Sequence, residues 1–563
     1  MPNQVNVLVG GEAGQGLVTV GELLAGSLAR SGYSVLTSQT YESRIRGGHN
    51  TFSVRAGAAE VLAPSESADL LVALDGETLR LHSGALSPGA LVIADGALEG
   101  RPSGALGVPF GELAPARQAN VAALGVISGA LSLDREVVRK AVEDRFGRKD
   151  AEVARQNEEV LRRAYDWFAR SGARTLTLEG APRAGRRLLL SGNEAVAFGA
   201  VSAGLRFASF YPMTPSTPIA EKLAALAEKL GLVVEQAEDE IAAVNMAIGA
   251  SFAGAPSMVS TAGGGFALMV EGVSLAAMTE TPLVVVVGQR PAPATGLPTR
   301  TEQADLEFVL HAGHGEFPRA VFAPGSIEQC FHLTRKAFEL AERTQGPAFV
   351  LTDHFIADSM RTIEPLDVES LEAVGAPRED VPVEEPYRRY RLVPGGVSPR
   401  LLPGRTKHLV VADSDEHDEF GHITEDLSLR KLMVEKRLAK GAILREACVP
   451  PEYAGDERPE VLLVAWGSTR GSALEAARIL RERGARSAVL HFAQVWPLVP
   501  EQFAERLRGA REVVCVESNA TGQFARLLRR ETGVEIARRV LRYDGLAITP
   551  EYILRELGSA ARS

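Results

Sequence analysis

Residues 211–218 read YPMTPSTP, a proline-punctuated loop with Ser and Thr side chains, and they open the stretch that decides the fold, residues 210–300. After this loop, short apolar segments alternate with segments that carry the apolar period of a helix. The helical segments are Ile219–Leu230 and Ile241–Phe252, and the apolar segments are Leu232–Val234, Ser257–Thr261 and Leu283–Val287. We expect Leu232–Val234 to be a buried strand. This alternation predicts an α/β unit built around a parallel sheet.

Polar groups follow the predicted strands at the points where the strands end. Glu240 stands at the start of the Ala-rich helix, the glycines Gly263–Gly265 precede Phe266, and Arg290 follows the third strand. Ligands gather at the carboxyl ends of parallel strands. A carboxylate, a guanidinium and bare glycine backbone at such ends therefore predict a binding site.

Each of these features has a simpler explanation when it is taken alone. Glu240 complements a helix dipole in the first turn of its helix. Gly263–Gly265 can be a tight turn that needs positive φ, and Arg290 can be one half of a surface ion pair. The binding-site hypothesis depends on all three falling at equivalent strand ends together with the loop 211–218.

This combination resembles the α subunit of 2-oxoacid:ferredoxin oxidoreductases, in the form with a γ domain fused at the N-terminus, as in many 2-oxoglutarate enzymes. The resemblance covers nearly the whole chain. It implies an α/β fold with three α/β domains and one connecting segment. These are a γ-type domain over residues 1–178, a pyrimidine-type domain that binds thiamine diphosphate (ThDP) over 179–363, an extended connection over 364–457, and a transketolase C-terminal-like domain over 458–563.

The resemblance also implies roles for the residues of the central stretch. Glu240 would activate the aminopyrimidine ring of ThDP, and Thr214 and Arg290 would be catalytic and would contact the 2-oxoacid. Arg300 is a candidate for the distal carboxylate of 2-oxoglutarate, because a very tight grip on the reacting carboxylate would oppose decarboxylation. Residues expected to line the cofactor are Pro212, Glu240, Gly264 and Phe266.

The N-terminal segment has a strand–glycine loop–helix pattern. Val5–Val9 is followed by the glycine loop Gly10–Gly16 and by a helix over Val18–Ser31. Its spacing is not the dinucleotide fingerprint, and a turn that lets helix and strand pack closely explains it equally well. In the family the γ domain lies against the coenzyme A cavity, which makes Gly14, Gly16 and Arg46 weak candidates for coenzyme A contacts. A non-catalytic dinucleotide-binding scaffold for electron transfer is the alternative of a different class.

Composition limits the remaining classes of function. The chain has 563 residues, a formal net charge of −10 and a mean hydropathy of +0.00. An acidic chain without basic clusters argues against nucleic-acid or anionic-membrane surfaces, and we expect a cytoplasmic protein. Three cysteines without a C-x-x-C spacing exclude an iron–sulfur cluster held by this chain alone. No metal site is expected, and the acidic run 413–419 is interpreted as a solvated or inter-subunit loop.

The sequence contains no Gly-Asp-Gly, the Mg²⁺–diphosphate motif of ThDP enzymes, and so it holds half of a ThDP site. The resemblance implies a β subunit that carries the diphosphate domain, Mg²⁺ and a [4Fe–4S] cluster, in an (αβ)₂ complex. The expected reaction converts a 2-oxoacid, coenzyme A and oxidised ferredoxin to acyl-CoA, CO₂ and reduced ferredoxin, and it is reversible in principle. 2-Oxoglutarate is the favoured substrate; pyruvate, branched-chain and aryl 2-oxoacids stay open.

Overall fold

The computed structural model describes residues 4–43, 48–146, 151–178, 185–374 and 381–559. Its contacts divide the chain into two compact units. The first unit contains Met1–Ser191, Asp358–Pro365 and Thr549–Arg555, and the second contains Gly192–Ala357, Leu366–Ile548 and Glu556–Ser563.

The first unit is built on a mixed sheet. Its strands, in spatial order, are Leu106–Val108, Leu86–Asp95, Ala68–Ala73, Gln4–Glu12, His49–Gly57, Ser34–Thr40, Met360–Ile363 and Leu188–Ser191. Gln4–Glu12 runs parallel to Ala68–Ala73 and antiparallel to His49–Gly57. Val5, Val7 and Val9 alternate along the central strand and point into the core on one face, as the two-residue period of a strand requires.

Helices cover this sheet and complete its core. They span Leu17–Arg30, Gly76–His82, Phe110–Leu113, Ala119–Ala130, Arg135–Phe146 and Ala151–Arg170. The helix Ala119–Ala130 is apolar on nearly all sides because it lies between its neighbours, and Leu124 and Ile127 are fully buried. The sequence placed the strands Leu188–Ser191 and Met360–Ile363 beyond the γ-type domain. Both strands pair in this first sheet, because backbone pairing joins segments that are far apart in sequence.

The second unit contains the predicted central sheet. Its strands, in spatial order, are Gln494–Trp496, Ala320–Phe322, Pro347–Asp353, Leu283–Gln289, Ser257–Ala262, Phe207–Phe210 and Val233–Gln236. All neighbours run parallel except Gln494–Trp496. Ser257–Ala262 and Leu283–Gln289 are buried at every residue, as continuous apolar strands with both faces covered are.

The prediction of a buried strand at Leu232–Val234 is wrong. The strand spans Val233–Gln236 and lies at the edge of the sheet beside Phe207–Phe210. The side chain of Val233 is 55% exposed. A short apolar run is equally compatible with a central and an edge strand, and only the tertiary pairing separates the two.

Helices of the second unit surround two sheets. They span Gly192–Ser202, Thr217–Leu230, Glu240–Phe252, Gly263–Met278, Leu306–His311, Ile327–Thr344, His354–Asp358, Leu427–Ala439, Gly441–Glu446, Arg470–Glu482, Ala504–Gly509 and Gln523–Thr532. The helix Pro550–Ser559 belongs to the first unit up to Arg555. The second of these sheets has the spatial order Glu452–Gly455, Ser487–Phe492, Val461–Trp466, Glu512–Glu517 and Arg538–Leu541. Gln303 joins the two sheets, since its side-chain Nε2 donates to the carbonyl oxygen of Trp466 and its backbone N–H to that of Ser518.

The extended connection ends earlier than the sequence suggested, because the helices Leu427–Ala439 and Gly441–Glu446 lie within residues 364–457. A buried ion network holds this segment to the central domain. Lys440 Nζ lies 2.7 Å from Glu280 Oε2, Lys436 pairs with the same carboxylate, and Arg389 Nη2 donates to the Glu280 carbonyl oxygen at 2.7 Å. Burial opposes ionisation of Glu280, but Lys440, Lys436 and Arg389 lower its pKa to about 2.

Candidate active site

The helix Gly263–Met278 begins with three glycines at the carboxyl end of the central strand Ser257–Ala262. None of these three described glycines has a positive φ, so the tight-turn alternative is wrong. Gly265 is required for a different reason: a β-carbon there would lie 2.5 Å from Glu240 Oε1 and 2.3 Å from Thr261 Oγ1. The bare first turn of this helix therefore lies directly against the carboxylate of Glu240.

Glu240 is the first residue of the helix Glu240–Phe252 and is buried, with 4% of its surface exposed. Asp239 immediately before it accepts a hydrogen bond from the backbone N–H of Ala242 at 2.7 Å and so caps the helix. Capping is thus provided by Asp239, and Glu240 is free of that role. A buried carboxylate at this position requires a polar partner, since an isolated buried charge is strongly unfavourable.

The loop 211–218 lies beside Arg290. Arg290 Nη1 donates to the carbonyl oxygen of Thr214 at 2.8 Å. Gly288 makes this approach possible, because a β-carbon there would lie 2.9 Å from Cγ of Pro215. Asn193 Nδ2 donates to the carbonyl oxygen of Pro215 at 3.0 Å and holds the loop from the other side. Thr214 and Arg290, predicted together from sequence, are therefore neighbours.

Two arginines act on one buried imidazole at the same edge of the sheet. Burial, then the charge of Arg300, and more weakly that of Arg290, lower the pKa of His354 to about 4. Arg300 is half-buried and packs against Gly545. A β-carbon added to Gly545 would lie 3.0 Å from Cβ of Arg300. Both arginines lie at this edge of the sheet, because Arg290 follows Gln289, which pairs with Asp353 on the neighbouring strand, and Thr301, the residue after Arg300, donates through Oγ1 to Asp353 Oδ1 at 3.1 Å.

Sequence reasoning missed the residues that follow Arg300. Asp305 is 8% exposed, and its backbone N–H donates to Gln289 Oε1 at 3.0 Å. Burial raises the pKa of Asp305 to about 6, against the opposing charge of Arg290. Burial and the charge of Asp305 raise the pKa of Glu302 to about 7. The segment 299–305 contained acidic residues in sequence, but nothing there indicated that they would be buried beside Arg290.

The remaining residues expected to line the cofactor are Phe266, Pro212 and Gly264, and they differ in burial. Phe266 is fully buried and packs edge-on against Phe308 and Phe349. Its side chain belongs to the core, so the expectation that it lines the cofactor is wrong for the ring. Pro212 is exposed on the loop, and Gly264 is exposed in the first helical turn with its nearest neighbour, Ala294 O, 3.6 Å from an added β-carbon.

In the N-terminal unit, Gly14 and Gly16 adopt φ of 96° and 76° in the loop before the helix Leu17–Arg30. A β-carbon on Gly16 would lie 2.7 Å from the side-chain amide of Asn120. Both glycines thus take a backbone conformation that favours glycine, and Gly16 also allows the close approach of Asn120. Their assignment to coenzyme A stays a prediction. Arg46 lies outside the described residues.

The described residues offer neither a cluster of metal ligands nor a membrane-spanning helix. Across the described ranges, no group of three or more His, Cys, Asp or Glu side chains is arranged to hold a metal ion. The acidic run 413–419 contains His417, which is fully buried against Tyr390 with its ring centroid 4.0 Å away. No helix within the described part of the chain is both long and apolar enough to span a bilayer.

Three family profiles match consecutive parts of the chain. Residues 6–167 match the pyruvate ferredoxin/flavodoxin oxidoreductase domain, and residues 198–436 match the ThDP-binding domain of pyruvate flavodoxin/ferredoxin oxidoreductases. Residues 454–550 match the transketolase C-terminal domain. The three α/β domains predicted from sequence are thereby confirmed as fold types.

Full-length relatives agree with these profiles. The α subunit of 2-oxoacid:ferredoxin oxidoreductase 2 of Aeropyrum pernix is 31% identical over 99% of this chain and 97% of its own length. The 2-oxoglutarate oxidoreductase subunit KorA of Mycobacterium tuberculosis is 30% identical over 98% of this chain and 90% of its own length.

A solved structure matches as well. The 2-oxoglutarate:ferredoxin oxidoreductase from Magnetococcus marinus, with 2-oxoglutarate, coenzyme A and succinyl-CoA bound, superposes with a TM-score of 0.92. It is 30% identical and covers 99% of this chain and 100% of its own. With the buried Glu240, the glycine helix terminus and the Arg290–Thr214 pair in place, this chain belongs to the α subunits of the 2-oxoacid:ferredoxin oxidoreductases.

Proposed function

We propose that this chain acts on 2-oxoglutarate and, with a β subunit, converts it with coenzyme A to succinyl-CoA and CO₂ while ferredoxin is reduced. The observation that carries the substrate assignment is the position of two arginines at one edge of the central sheet. Arg290 directly follows the strand Leu283–Gln289, and Arg300 precedes Thr301, whose hydroxyl donates at 3.1 Å to Asp353 Oδ1 at the end of the neighbouring strand. A dicarboxylate has two anionic ends, and two guanidinium groups on one edge of a sheet match them. The full-length likeness to a 2-oxoglutarate enzyme supports the same choice.

The residues around Glu240 fit ThDP. Glu240 is a buried carboxylate without a capping role, and the first turn of the helix Gly263–Met278 beside it lacks side chains. ThDP, when bound, supplies the electron sink that lets a 2-oxoacid lose CO₂. Glu240 would hold the proton at the ring nitrogen of the aminopyrimidine, a role that a desolvated carboxylate fixed by packing performs well. Pro212, Gly264 and the backbone of Phe266 would complete the cofactor side.

The 2-oxoacid would lie between the loop 211–218 and Arg290. The hydroxyl of Thr214 would donate to the substrate carbonyl oxygen, where negative charge develops. Arg290 would hold the reacting carboxylate, since its Nε is buried and makes no hydrogen bond with any residue that the structure describes. Arg300 would pair with the distal carboxylate.

The complex needs a partner for the rest of the chemistry. The chain lacks Gly-Asp-Gly and a cysteine set for a cluster, so a β subunit would bring the diphosphate domain, Mg²⁺ and a [4Fe–4S] cluster. An (αβ)₂ assembly, reduction of ferredoxin and a cytoplasmic location complete the proposal. Coenzyme A contacts at Gly14, Gly16 and Arg46 stay a prediction.

Co-expression with the β subunit tests this proposal. The complex should contain ThDP and iron, whereas the chain alone should be colourless and bind ThDP poorly. With coenzyme A and a low-potential dye, 2-oxoglutarate should give the largest kcat/KM in a panel with pyruvate, branched-chain and aryl 2-oxoacids. A complex that prefers pyruvate would overturn the substrate assignment. Glu240→Gln should reduce turnover by about two to four orders of magnitude, and near-wild-type turnover would exclude its proposed role.

A further inference from the structure

Asp305 occupies a helix cap position without acting as a cap. It directly precedes the helix Leu306–His311, yet its side chain accepts no hydrogen bond from that helix. An aspartate at this position ordinarily caps the first turn. Here the carboxylate instead lies against Gly263, where a β-carbon would be 2.3 Å from Oδ2 and 2.8 Å from Oδ1. Helix capping therefore does not explain the position of this aspartate.

Asp305 is held at the strand end that carries Arg290, because its backbone N–H donates at 3.0 Å to Oε1 of Gln289, the residue directly before Arg290. Its charge and that of Arg290 act on each other, and each shifts the pKa of the other toward the ionised form. Glu302 is the other titratable group that senses Asp305. Oδ2 of Asp305 is buried and accepts no hydrogen bond from any residue in the described ranges, and the same holds for the Nε donor of Arg290. Asp305 Oδ2 and Arg290 Nε are therefore not hydrogen-bonded to each other.

We propose that Asp305 is a positioning residue that acts through Arg290 and limits how strongly this guanidinium grips the carboxylate of the 2-oxoacid. This inference rests on the proposed function of Arg290. Decarboxylation requires that the carboxylate leave as neutral CO₂, so any interaction that stabilises the bound carboxylate more than the transition state slows the reaction. A fixed anion beside Arg290 offsets part of its positive field. Arg290 then orients the substrate without holding it too tightly.

Asp305→Asn tests the inference in the complex with the β subunit. The neutral amide keeps the size and removes the counter-charge. We expect the KM for the 2-oxoacid to fall by about three- to tenfold and kcat to fall by about tenfold, because loss of ground-state destabilisation lowers both constants together. Glu307→Gln is the matched control: it removes the same charge two residues further on, where Glu307 pairs with Arg526 at the surface. The control should leave both constants unchanged.

Further measurements separate this role from a structural one. Glutarate, which cannot lose CO₂, should bind several-fold more tightly to the Asp305→Asn complex by calorimetry, and Asp305→Glu should restore the wild-type KM. In an Arg290→Gln background, Asp305→Asn should not change KM further. A raised or unchanged KM with an unchanged melting temperature would overturn the inference, as would an equal effect in both backgrounds. If Asp305→Asn does not fold, Asp305→Ser, which also removes the charge, takes its place: the same fall in KM is expected, and an unchanged or raised KM would overturn the inference. These measurements use the 2-oxoacid that the wild-type complex turns over fastest in the substrate panel described above. A failure of the 2-oxoglutarate assignment would appear in that panel and is thus distinguished from a failure of the Asp305 inference.

Discussion

Gly265→Ala perturbs the position of Glu240 without touching its charge. The added methyl carbon would lie 2.5 Å from Glu240 Oε1, whereas an ordinary contact begins at 3.4 Å. The carboxylate must therefore retreat by about 0.9 Å, because Thr261 Oγ1 at 2.3 Å closes the other side. A misplacement of about 1 Å in a catalytic group costs roughly 100-fold in rate. We expect kcat to fall about 100-fold, equivalent to about 2.7 kcal/mol in the activation free energy.

The stability of the same variant should change little. Alanine favours a helix over glycine by about 1 kcal/mol, while crowding in a packed interior costs about 1–3 kcal/mol. These terms oppose each other, so the melting temperature of the complex should shift by only a few degrees, as the scale of about 2–4 °C per kcal/mol for larger domains implies. The assay is dye reduction with saturating 2-oxoacid and coenzyme A, run beside a thermal melt.

Gly26→Ala is the control for the substitution itself. Gly26 lies inside the helix Leu17–Arg30, and a β-carbon there meets no atom within 4 Å. This variant should keep full turnover and gain stability. If Gly265→Ala also keeps near-wild-type kcat in a folded complex, the placement of the Glu240 carboxylate against Gly265 does not matter for the chemistry, and the reasoning is refuted. The double variant with Glu240→Gln should be no slower than Glu240→Gln alone.

Three more outcomes follow from the structure. Arg290→Lys should raise the KM for the 2-oxoacid roughly 10- to 100-fold, about 1.4–3 kcal/mol, because lysine cannot reproduce a planar fork; an unchanged KM in a stable protein would move the reacting carboxylate to Arg300. Glu280→Gln should lower the free energy of unfolding by about 3–5 kcal/mol, since it leaves the buried Lys436 and Lys440 unpaired, and a urea titration showing a loss below about 1 kcal/mol would contradict this. The pKa of Glu302 is raised to about 7 in the folded chain, so the folded state binds the extra proton and stability falls as pH rises from about 4.5 to about 7. Glu302→Gln should flatten that decline in unfolding midpoints, and a decline equal to wild type would show that Glu302 does not cause it.

The central site could be predicted from sequence because its parts follow strand ends. Glu240, Gly263–Gly265 and Arg290 each stand next to an apolar run, and parallel strands place such positions at one edge of the sheet. The ion-pair and dipole explanations were equally good for single residues. Their combination with the loop 211–218 was the informative signal, and the family profiles agree with it.

Predictions from sequence were wrong where they depended on which residues are buried. Leu232–Val234 was expected to be a buried strand and contributes to an edge strand, and Phe266 was expected at the cofactor and packs in the core. All of these residues are apolar, and an apolar side chain has no intrinsic preference between a sheet edge, a core and a cofactor wall. Asp305 was not singled out from sequence, because no local pattern shows that this aspartate is buried.

By itself, the sequence determined the α/β class, and it predicted a ThDP half-site and a partner subunit, because these predictions depend on local period, on motif spacing and on a motif that is missing. The tertiary structure alone decided which charges are buried and which groups touch. Asp305 meets Gly263 across 42 positions of sequence, and Arg290 reaches the Thr214 carbonyl across 76 positions. Such contacts depend on how strands are ordered in the sheet, and strand order is a property of long-range pairing that no local pattern specifies.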